Sequence, residues 1–183
     1  MRSYRVFPYL PTARRGEPGH PLYVPRPQGA GRIDNPDLYD AMYLGDRPVC
    51  AVVETFGNLK TWMPKMFRTP HVPGGTRALV TYELPDATPV ADLDDPAVLV
   101  ALGLRPSRVS TRQRAVTQAW ARALFERRQW IGVRWWSYYS PDWYVYGLWD
   151  CRAVHATNVE VLAIDHPVVV EAATFLHRVR RAR

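Results

Sequence analysis

Cysteine is scarce in this sequence, and several sequence signatures are missing. Only Cys50 and Cys151 occur among the 183 residues, and no cysteine or histidine pair has metal-ligand spacing. We therefore expect two thiols, with neither a disulfide framework nor a zinc site. No apolar run approaches the roughly 18 residues of a membrane span, and the first fifteen residues lack the apolar core of a signal peptide. These absences predict a cytoplasmic protein that does not enter the membrane.

The common nucleotide-binding and hydrolase motifs are also absent. The chain contains no GxGxxG segment between a strand and a helix, no GxxxxGK[ST] loop and no GxSxG elbow. The one acidic cluster, Asp92, Asp94 and Asp95, directly precedes Pro96. An acid before proline is typical of a helix start, so this cluster predicts helix capping in preference to metal binding.

Acidic residues are fewer than basic ones: the chain has 17 aspartates and glutamates and 24 lysines and arginines, which gives a formal net charge of +7. Such a balance suits nucleic acid, a membrane surface, an anionic small molecule or an acidic protein. No zinc-finger, RNA-recognition or basic-aromatic pattern favours nucleic acid. Much of the positive charge lies near the C-terminus, where it indicates a solvated helix end or a contact for an acidic partner. Its members are His177, Arg178, Arg180, Arg181 and Arg183.

Length and proline content predict the fold class. A chain of 183 residues with 47% hydrophobic residues suits a single domain over residues 1–183. Seventeen prolines argue against a helical bundle. The strand candidates are short and are not spaced as βαβ repeats. We therefore predict an α+β domain with a small, mainly antiparallel sheet and flanking helices.

Two segments have helical periodicity. The first begins at Pro48, with Asp46 as its predicted cap, and ends at Gly57; its apolar stripe comprises Val49, Val52, Val53 and Phe56. Glu54 lies on this helix but off the stripe, which predicts a solvent-facing carboxylate. The second helix is predicted over residues 111–128. Its predicted packing face comprises Val116, Ala119, Trp120, Ala123 and Leu124.

The most informative stretch is GRIDNPDLYDAMYLGDRPVCAVVETFGNL, from Gly31 to Leu59. It places Arg32 after a glycine in a loop, Tyr43 on a strand, and Glu54 one short helix later. The eleven-residue spacing between Tyr43 and Glu54 would allow a strand, a turn and a helix to bring both to one cleft. By residue type alone, an arginine in a loop more commonly belongs to a solvated turn, and a tyrosine on a strand more commonly belongs to the core.

The same stretch resembles the central motif of the RES domain family, a glycine–arginine loop, an Asn-Pro pair, a Tyr-Leu pair and a helix with a glutamate. Tyr4-Arg5-Val6 resembles the family's arginine-bearing first strand, and Gly132–Ser137 resembles its serine strand. The chain departs from the pattern at Ile33, where an aromatic residue is usual, and at Asp34, an additional residue. Ser140 is a rival to Ser137 for the serine position. The matching motif residues are Gly31, Arg32, Asn35, Pro36, Tyr43, Leu44 and Glu54.

The resemblance implies a fold similar to that of ADP-ribosyltransferase toxins. It also implies that the protein is the toxin of a toxin–antitoxin pair and that it degrades NAD. NAD would be the substrate, with water or inorganic phosphate as acceptor and no resident cofactor or metal. The partner implied is a small Xre-type helix-turn-helix antitoxin, with no direct nucleic-acid contact of the chain's own. Glu54 would stabilise positive charge on the ribose.

The resemblance gives the remaining residues supporting roles. Arg5 and Arg32 would bind the pyrophosphate. Tyr43 would contact nicotinamide or ribose, and Ser137 would donate to a phosphate or to the ribose.

Three alternatives remain open at the level of sequence. The same pocket would serve a protein ADP-ribosyltransferase, which would transfer label from NAD to a protein. The net charge also suits a non-enzymatic nucleic-acid-binding module, which would show salt-dependent binding without NAD loss. A basic surface that binds an acidic antitoxin is compatible with the enzyme.

Overall fold

The computed structural model describes residues 1–181 as a mixture of short strands and helices. The strands are β1 (Arg2–Tyr9), β2 (Met42–Gly45), β3 (Thr61–Trp62), β4 (Thr76–Glu83), β5 (Val90–Asp92), β6 (Gly132–Trp136), β7 (Tyr144–Leu148), β8 (His155–Val161) and β9 (Val179–Arg180). The helices are α1 (Pro48–Phe56), α2 (Pro96–Leu102), α3 (Pro106–Ser110), α4 (Arg114–Glu126) and α5 (Pro167–Phe175), with one 3₁₀ turn at Pro64–Phe67. None of the helices in the described part is long and apolar enough to cross a membrane.

The chain groups into two compact units. The first consists of Met1–Tyr23, Leu44–Leu84 and residues 154–181; the second consists of Val24–Tyr43 and Pro85–Ala153. The prediction of one domain over residues 1–183 stays a prediction. The predicted combination of helices with a mainly antiparallel set of strands is present.

An antiparallel set of strands forms the centre of the first unit. β1 pairs with β4 along its whole length, from Arg2↔Glu83 to Tyr9↔Thr76. β4 pairs with β8 on its other side, and β1 meets β2 at Tyr4↔Gly45. Since side chains alternate between the faces of a strand, this register aligns the apolar residues of neighbouring strands.

Helix α1 belongs to the first unit and packs against β1 and α5. Pro48 occupies its first turn, where a missing N–H has no cost. The prediction that Asp46 caps this helix is wrong: Arg47 is the cap residue, and the Asp46 carboxylate accepts from the Arg47 guanidinium at 2.8 Å instead. The predicted apolar stripe is confirmed, because all four of its members are buried.

The second unit contains three paired strands and three helices. β5 pairs parallel to β6, and β6 pairs antiparallel to β7. The acidic cluster caps α2 as predicted, since the Asp95 side chain accepts from the Ala97 N–H at 2.8 Å. Asp92 forms an ion pair with Arg134 on the neighbouring strand β6.

Helix α4 is shorter than predicted, and its buried face differs in part from the predicted packing face. It begins at Arg114, because α3 and a loop occupy the preceding residues. Ala119 and Ala123 are exposed, and the buried face comprises Thr117, Trp120, Ala121 and Leu124. A threonine is read as polar in a sequence, but the Thr117 hydroxyl donates to the Arg114 carbonyl at 3.2 Å and can therefore be buried.

The buried Tyr82 attaches the N-terminal loop to β4. Its side chain is fully buried, and its hydroxyl donates to the Pro21 carbonyl at 2.6 Å. The loop between Tyr9 and Tyr23 is rich in glycine and proline and has backbone hydrogen bonds of its own, among them Leu10 N–H to the Gly19 carbonyl at 3.1 Å; the Tyr82 hydroxyl connects it to β4.

Removing this hydroxyl should weaken the first unit. We expect Tyr82→Phe to lower the free energy of unfolding by about 1 kcal/mol, the usual net value of such a bond, and the Tm by about 3 °C. Calorimetry of the variant checks this, with Tyr9→Phe on the adjacent strand as the matched control. A Tm equal to that of the unmodified protein would contradict the role given to Tyr82.

Candidate functional site

Glu54 has an unusual position on its helix. Of the nine residues of α1, all of which the structure describes, Glu54 alone is exposed. The prediction of a solvent-facing carboxylate is therefore confirmed. Six of the other eight residues of α1 are buried, so the helix holds this carboxylate on a well-packed support.

Cys50 lies one turn before Glu54 on α1 and is fully buried. Burial raises the pKa of the Cys50 thiol, and the negative charges of Glu54 and Asp46 raise it further. The thiol is therefore protonated at neutral pH and is a poor nucleophile. Both cysteines carry thiols, as the composition predicts.

Arg5 also belongs to the first unit. It lies in the middle of β1, half-buried, and its guanidinium donates to the Tyr23 carbonyl at 2.9 Å. Arg77 on the adjacent strand β4 has its pKa lowered by burial, with the positive charge of Arg5 adding to the effect. The two arginines concentrate positive charge on neighbouring strands, an arrangement that favours an anion.

In the second unit, the loop of residues 29–35 is organised around one buried carboxylate. Asp34 is 5% exposed. One of its oxygens accepts from the N–H groups of Gly29 at 2.8 Å and Gly31 at 2.7 Å. The other accepts from the Tyr43 hydroxyl, whose oxygen accepts from the Ile33 N–H at 3.1 Å. These donors satisfy a buried charge that would otherwise be unfavourable.

Helix α4 binds the carbonyl groups of the same loop. The Gln118 amide donates to the carbonyls of Gly29 at 2.9 Å and Gly31 at 3.0 Å. The Arg114 guanidinium donates to the Ala30 carbonyl at 2.9 Å. Because both its N–H and its carbonyl groups are occupied, this loop has a defined shape despite its glycines.

Arg32 extends from this loop to the end of α3. Its guanidinium donates to the carbonyl of Val109 and, at 3.0 Å, to that of Thr111. A cation at a helix C-terminus is favoured by the partial negative charge there. The guanidinium carbon also lies 5.9 Å from the ring centroid of Trp135, within cation–π range.

Trp135 connects Arg32 to Tyr43. The Tyr43 and Trp135 rings meet edge to face, with centroids 6.3 Å apart and an interplanar angle of 83°. Burial raises the pKa of the Tyr43 hydroxyl, and the Asp34 carboxylate raises it further. Tyr43 therefore remains neutral and donates a hydrogen bond. The structure brings together Arg32 and Tyr43, two of the predicted site residues.

Ser137 directly follows β6 and is 3% exposed. Its N–H donates to the Trp143 carbonyl at 2.7 Å, and its hydroxyl accepts from the Tyr139 N–H at 3.1 Å. Ser140 lies in the turn itself, where its carbonyl accepts from Trp143. The assignment of the motif serine to Ser137, with Ser140 as its rival, stays a prediction.

Sequence comparison matches the chain to a known family. The family model of the RES domain matches residues 3–171. The chain belongs to the RES domain family. No curated protein matches its sequence significantly.

A solved structure similar to this RES protein comes from a toxin–antitoxin complex. A chain of the crystal structure of the M. tuberculosis MbcT–MbcA toxin–antitoxin complex aligns with a TM-score of 0.57 and 18% sequence identity. The alignment covers 96% of this chain and 87% of that chain. At this identity the similarity concerns the fold.

The RES motif residues divide between the two units. Arg5 and Glu54 lie in the first, while Arg32, Tyr43 and Ser137 lie in the second. Sequence reasoning missed two residues that organise the second group, Asp34 and Trp135. An aspartate in a glycine-rich loop was a usable signal, because such side chains commonly accept hydrogen bonds from nearby backbone N–H groups. Trp135 gave no signal beyond its bulk.

The hydrogen bond between Tyr43 and Asp34 predicts a pH dependence of stability. The folded-state pKa of Tyr43 is raised above the unfolded value of about 10, so its contribution is complete below pH 10 and declines as pH rises above it. We expect Tyr43→Phe to lower the free energy of unfolding by about 2 kcal/mol at pH 8. The difference in the free energy of unfolding between the unmodified protein and Tyr43→Phe should become smaller between pH 10 and 11.

Urea unfolding of both proteins at pH 8, 9, 10 and 11 measures this gap. Tyr39, whose pKa burial raises to about 12, is present in both proteins. A gap that stays constant over the whole range would contradict the proposed hydrogen bond.

Proposed function

We propose that this RES protein is a toxin that degrades NAD by cleaving the bond between nicotinamide and ribose. Membership of the family supports this, and one observation of the structure carries it: Glu54 is the single exposed residue of a helix that is otherwise packed. The motif glutamate therefore faces the solvent, from which a substrate would approach.

The reaction needs a stabilised cation and an acceptor. When the glycosidic bond breaks, its electron pair leaves with nicotinamide and positive charge develops on the ribose. The Glu54 carboxylate would stabilise that charge. An oxygen of water or inorganic phosphate would form the new bond to the ribose carbon, and the proton of that acceptor would be released. The products are nicotinamide with either ADP-ribose or its 1-phosphate.

The other motif residues would bind the substrate. Arg5 and Arg32 are proposed for the pyrophosphate, since guanidinium groups stay charged and match phosphate geometry. The Tyr43 hydroxyl already bonds to Asp34, so we assign its ring, and not its proton, to the contact with nicotinamide or ribose. Ser137 is proposed to donate to a phosphate or to the ribose.

The toxin would require neutralisation in its host. The similar fold from a complex with an antitoxin supports a protein partner. We propose a small Xre-type helix-turn-helix antitoxin, which would be the component that contacts nucleic acid. Since NAD is the proposed substrate, we place the activity in the cytoplasm.

Loss of the Glu54 charge should abolish NAD consumption. We expect Glu54→Gln to reduce the rate of nicotinamide release by about 100-fold or more, while the exposed position of Glu54 leaves the fold intact. Purified protein incubated with NAD, with and without phosphate, gives the rate and identifies the acceptor. Label transferred from NAD to a protein would identify a protein ADP-ribosyltransferase instead.

Glu171 provides the matched control. It is an exposed glutamate on α5 in the same unit, so Glu171→Gln makes the same chemical change elsewhere and should retain full activity. Full activity of a folded Glu54→Gln protein would exclude the proposed role of this residue.

The two arginines should differ in what they affect. Arg5→Ala and Arg32→Ala are both expected to weaken NAD binding by about tenfold or more, the usual loss for a charged hydrogen bond. Arg32→Ala should also lower the Tm, because it removes the bonds to the end of α3. NAD titration into the catalytically silent Glu54→Gln background measures affinity. Unchanged affinity in both variants would show that the pyrophosphate binds elsewhere.

A further inference from the structure

An exposed aromatic surface follows Ser137 and has no part in the chemistry described above. Tyr138 is 72% exposed, although Ser137 before it is buried. The ring of Tyr139 meets it edge to face, with centroids 5.3 Å apart and an interplanar angle of 84°. A solvent-facing aromatic ring held in a fixed orientation is a common feature of sites that bind flat ligands.

A guanidinium group accompanies this ring. The guanidinium carbon of Arg112 lies 4.8 Å from the centroid of Tyr138. Arg112 directly follows Thr111, whose carbonyl accepts from Arg32 at 3.0 Å. The loop that carries Arg112 is thus attached to the proposed pyrophosphate-binding arginine.

Contacts connect these groups within the second unit. The Arg32 guanidinium lies 5.9 Å from the Trp135 ring and donates to the Thr111 carbonyl, and the next residue, Arg112, contacts the Tyr138 ring. Each guanidinium group thus contacts one aromatic ring, and the backbone joins the two pairs. Neighbouring guanidinium and aromatic groups suit a ligand that contains both phosphate and a flat ring.

We propose that Tyr138 and Arg112 form the subsite for the adenine nucleotide end of NAD. The adenine ring stacks on Tyr138, and Arg112 contacts the adjacent phosphate. This inference rests on the proposed function and adds a specificity subsite to it. The position of Tyr138 favours the adenine end, because Tyr138 belongs to the same unit as Arg32, which is proposed for the pyrophosphate, whereas Glu54, which is proposed for the reacting ribose, belongs to the other unit.

Nicotinamide mononucleotide distinguishes this subsite, because it has the reacting bond but lacks the adenine nucleotide. We expect Tyr138→Leu to raise the KM for NAD about tenfold and to change kcat by less than twofold. Its KM for nicotinamide mononucleotide should equal that of the unmodified protein. Tyr138→Phe keeps the ring and should restore NAD binding. Arg112→Ala should also raise the KM for NAD.

Arg105→Ala is the control for the loss of one positive charge, since Arg105 is exposed and lies just before α3. It should leave both KM values unchanged. A KM for NAD within twofold of the unmodified value in both the Tyr138→Leu and the Arg112→Ala proteins would overturn the subsite. A rise that is equal for NAD and nicotinamide mononucleotide would also overturn it, because the residues would then act at the nicotinamide end.

Titration with ADP tests the subsite without catalysis. The unmodified protein should bind ADP, and Tyr138→Leu should bind it about tenfold more weakly. If the unmodified protein consumes no NAD, the proposed function fails, and this titration still decides the subsite. Absence of ADP binding to the unmodified protein would overturn the inference whatever the enzymatic result.

Discussion

The buried carboxylate of Asp34 is the interaction on which the second unit's site depends. It accepts from two backbone N–H groups and from the Tyr43 hydroxyl, so it fixes the loop and the strand residue at once. A Cβ on Gly31 would overlap both Tyr43 and Asp34. The glycine of the Gly-Arg pair is therefore required by close approach, and the arginine that follows it is directed by the shape of the closed loop. Burial of an ionised group is favourable only with such complete pairing, which makes the arrangement cooperative.

The direction of Arg32 has two consequences. Its bonds to the end of α3 fix the start of the next loop, where Arg112 lies. Its position over Trp135 places a cation beside an indole and, through that indole, beside Tyr43. One motif residue thus serves both the architecture of the unit and the charge of the site. An arginine suits both tasks, because its several N–H groups point in different directions and its charge does not depend on pH.

Local sequence patterns predicted where helices and strands lie better than they predicted which helix faces are buried. The stripe of α1 and the capping of α2 follow from spacing and proline, which act within a few residues. The predicted face of α4 was right for Trp120 and Leu124, but it omitted Thr117, a polar residue that is buried with a hydrogen bond within its own helix. The prediction that Asp46 caps α1 was wrong because the guanidinium of the adjacent Arg47 binds the Asp46 carboxylate. The role of Asp34 depends on Tyr43, nine residues away, and the contact of Trp135 with Arg32 spans about a hundred residues. Such contacts are set by tertiary structure, and a single sequence carries no direct signal for them.

The exposure of Glu54 has a structural cause and is also what its proposed function requires. Its exposure follows from periodicity: the residues that pack α1 against β1 and α5 are the apolar ones, and this position is left facing outward. That same exclusion from packing leaves the Glu54 side chain exposed to solvent. The protonated Cys50 on the preceding turn adds no second negative charge beside it. An ionised carboxylate on a helix that cannot easily rotate is what charge stabilisation of a developing cation requires, because the group is already charged and already oriented when the bond begins to break.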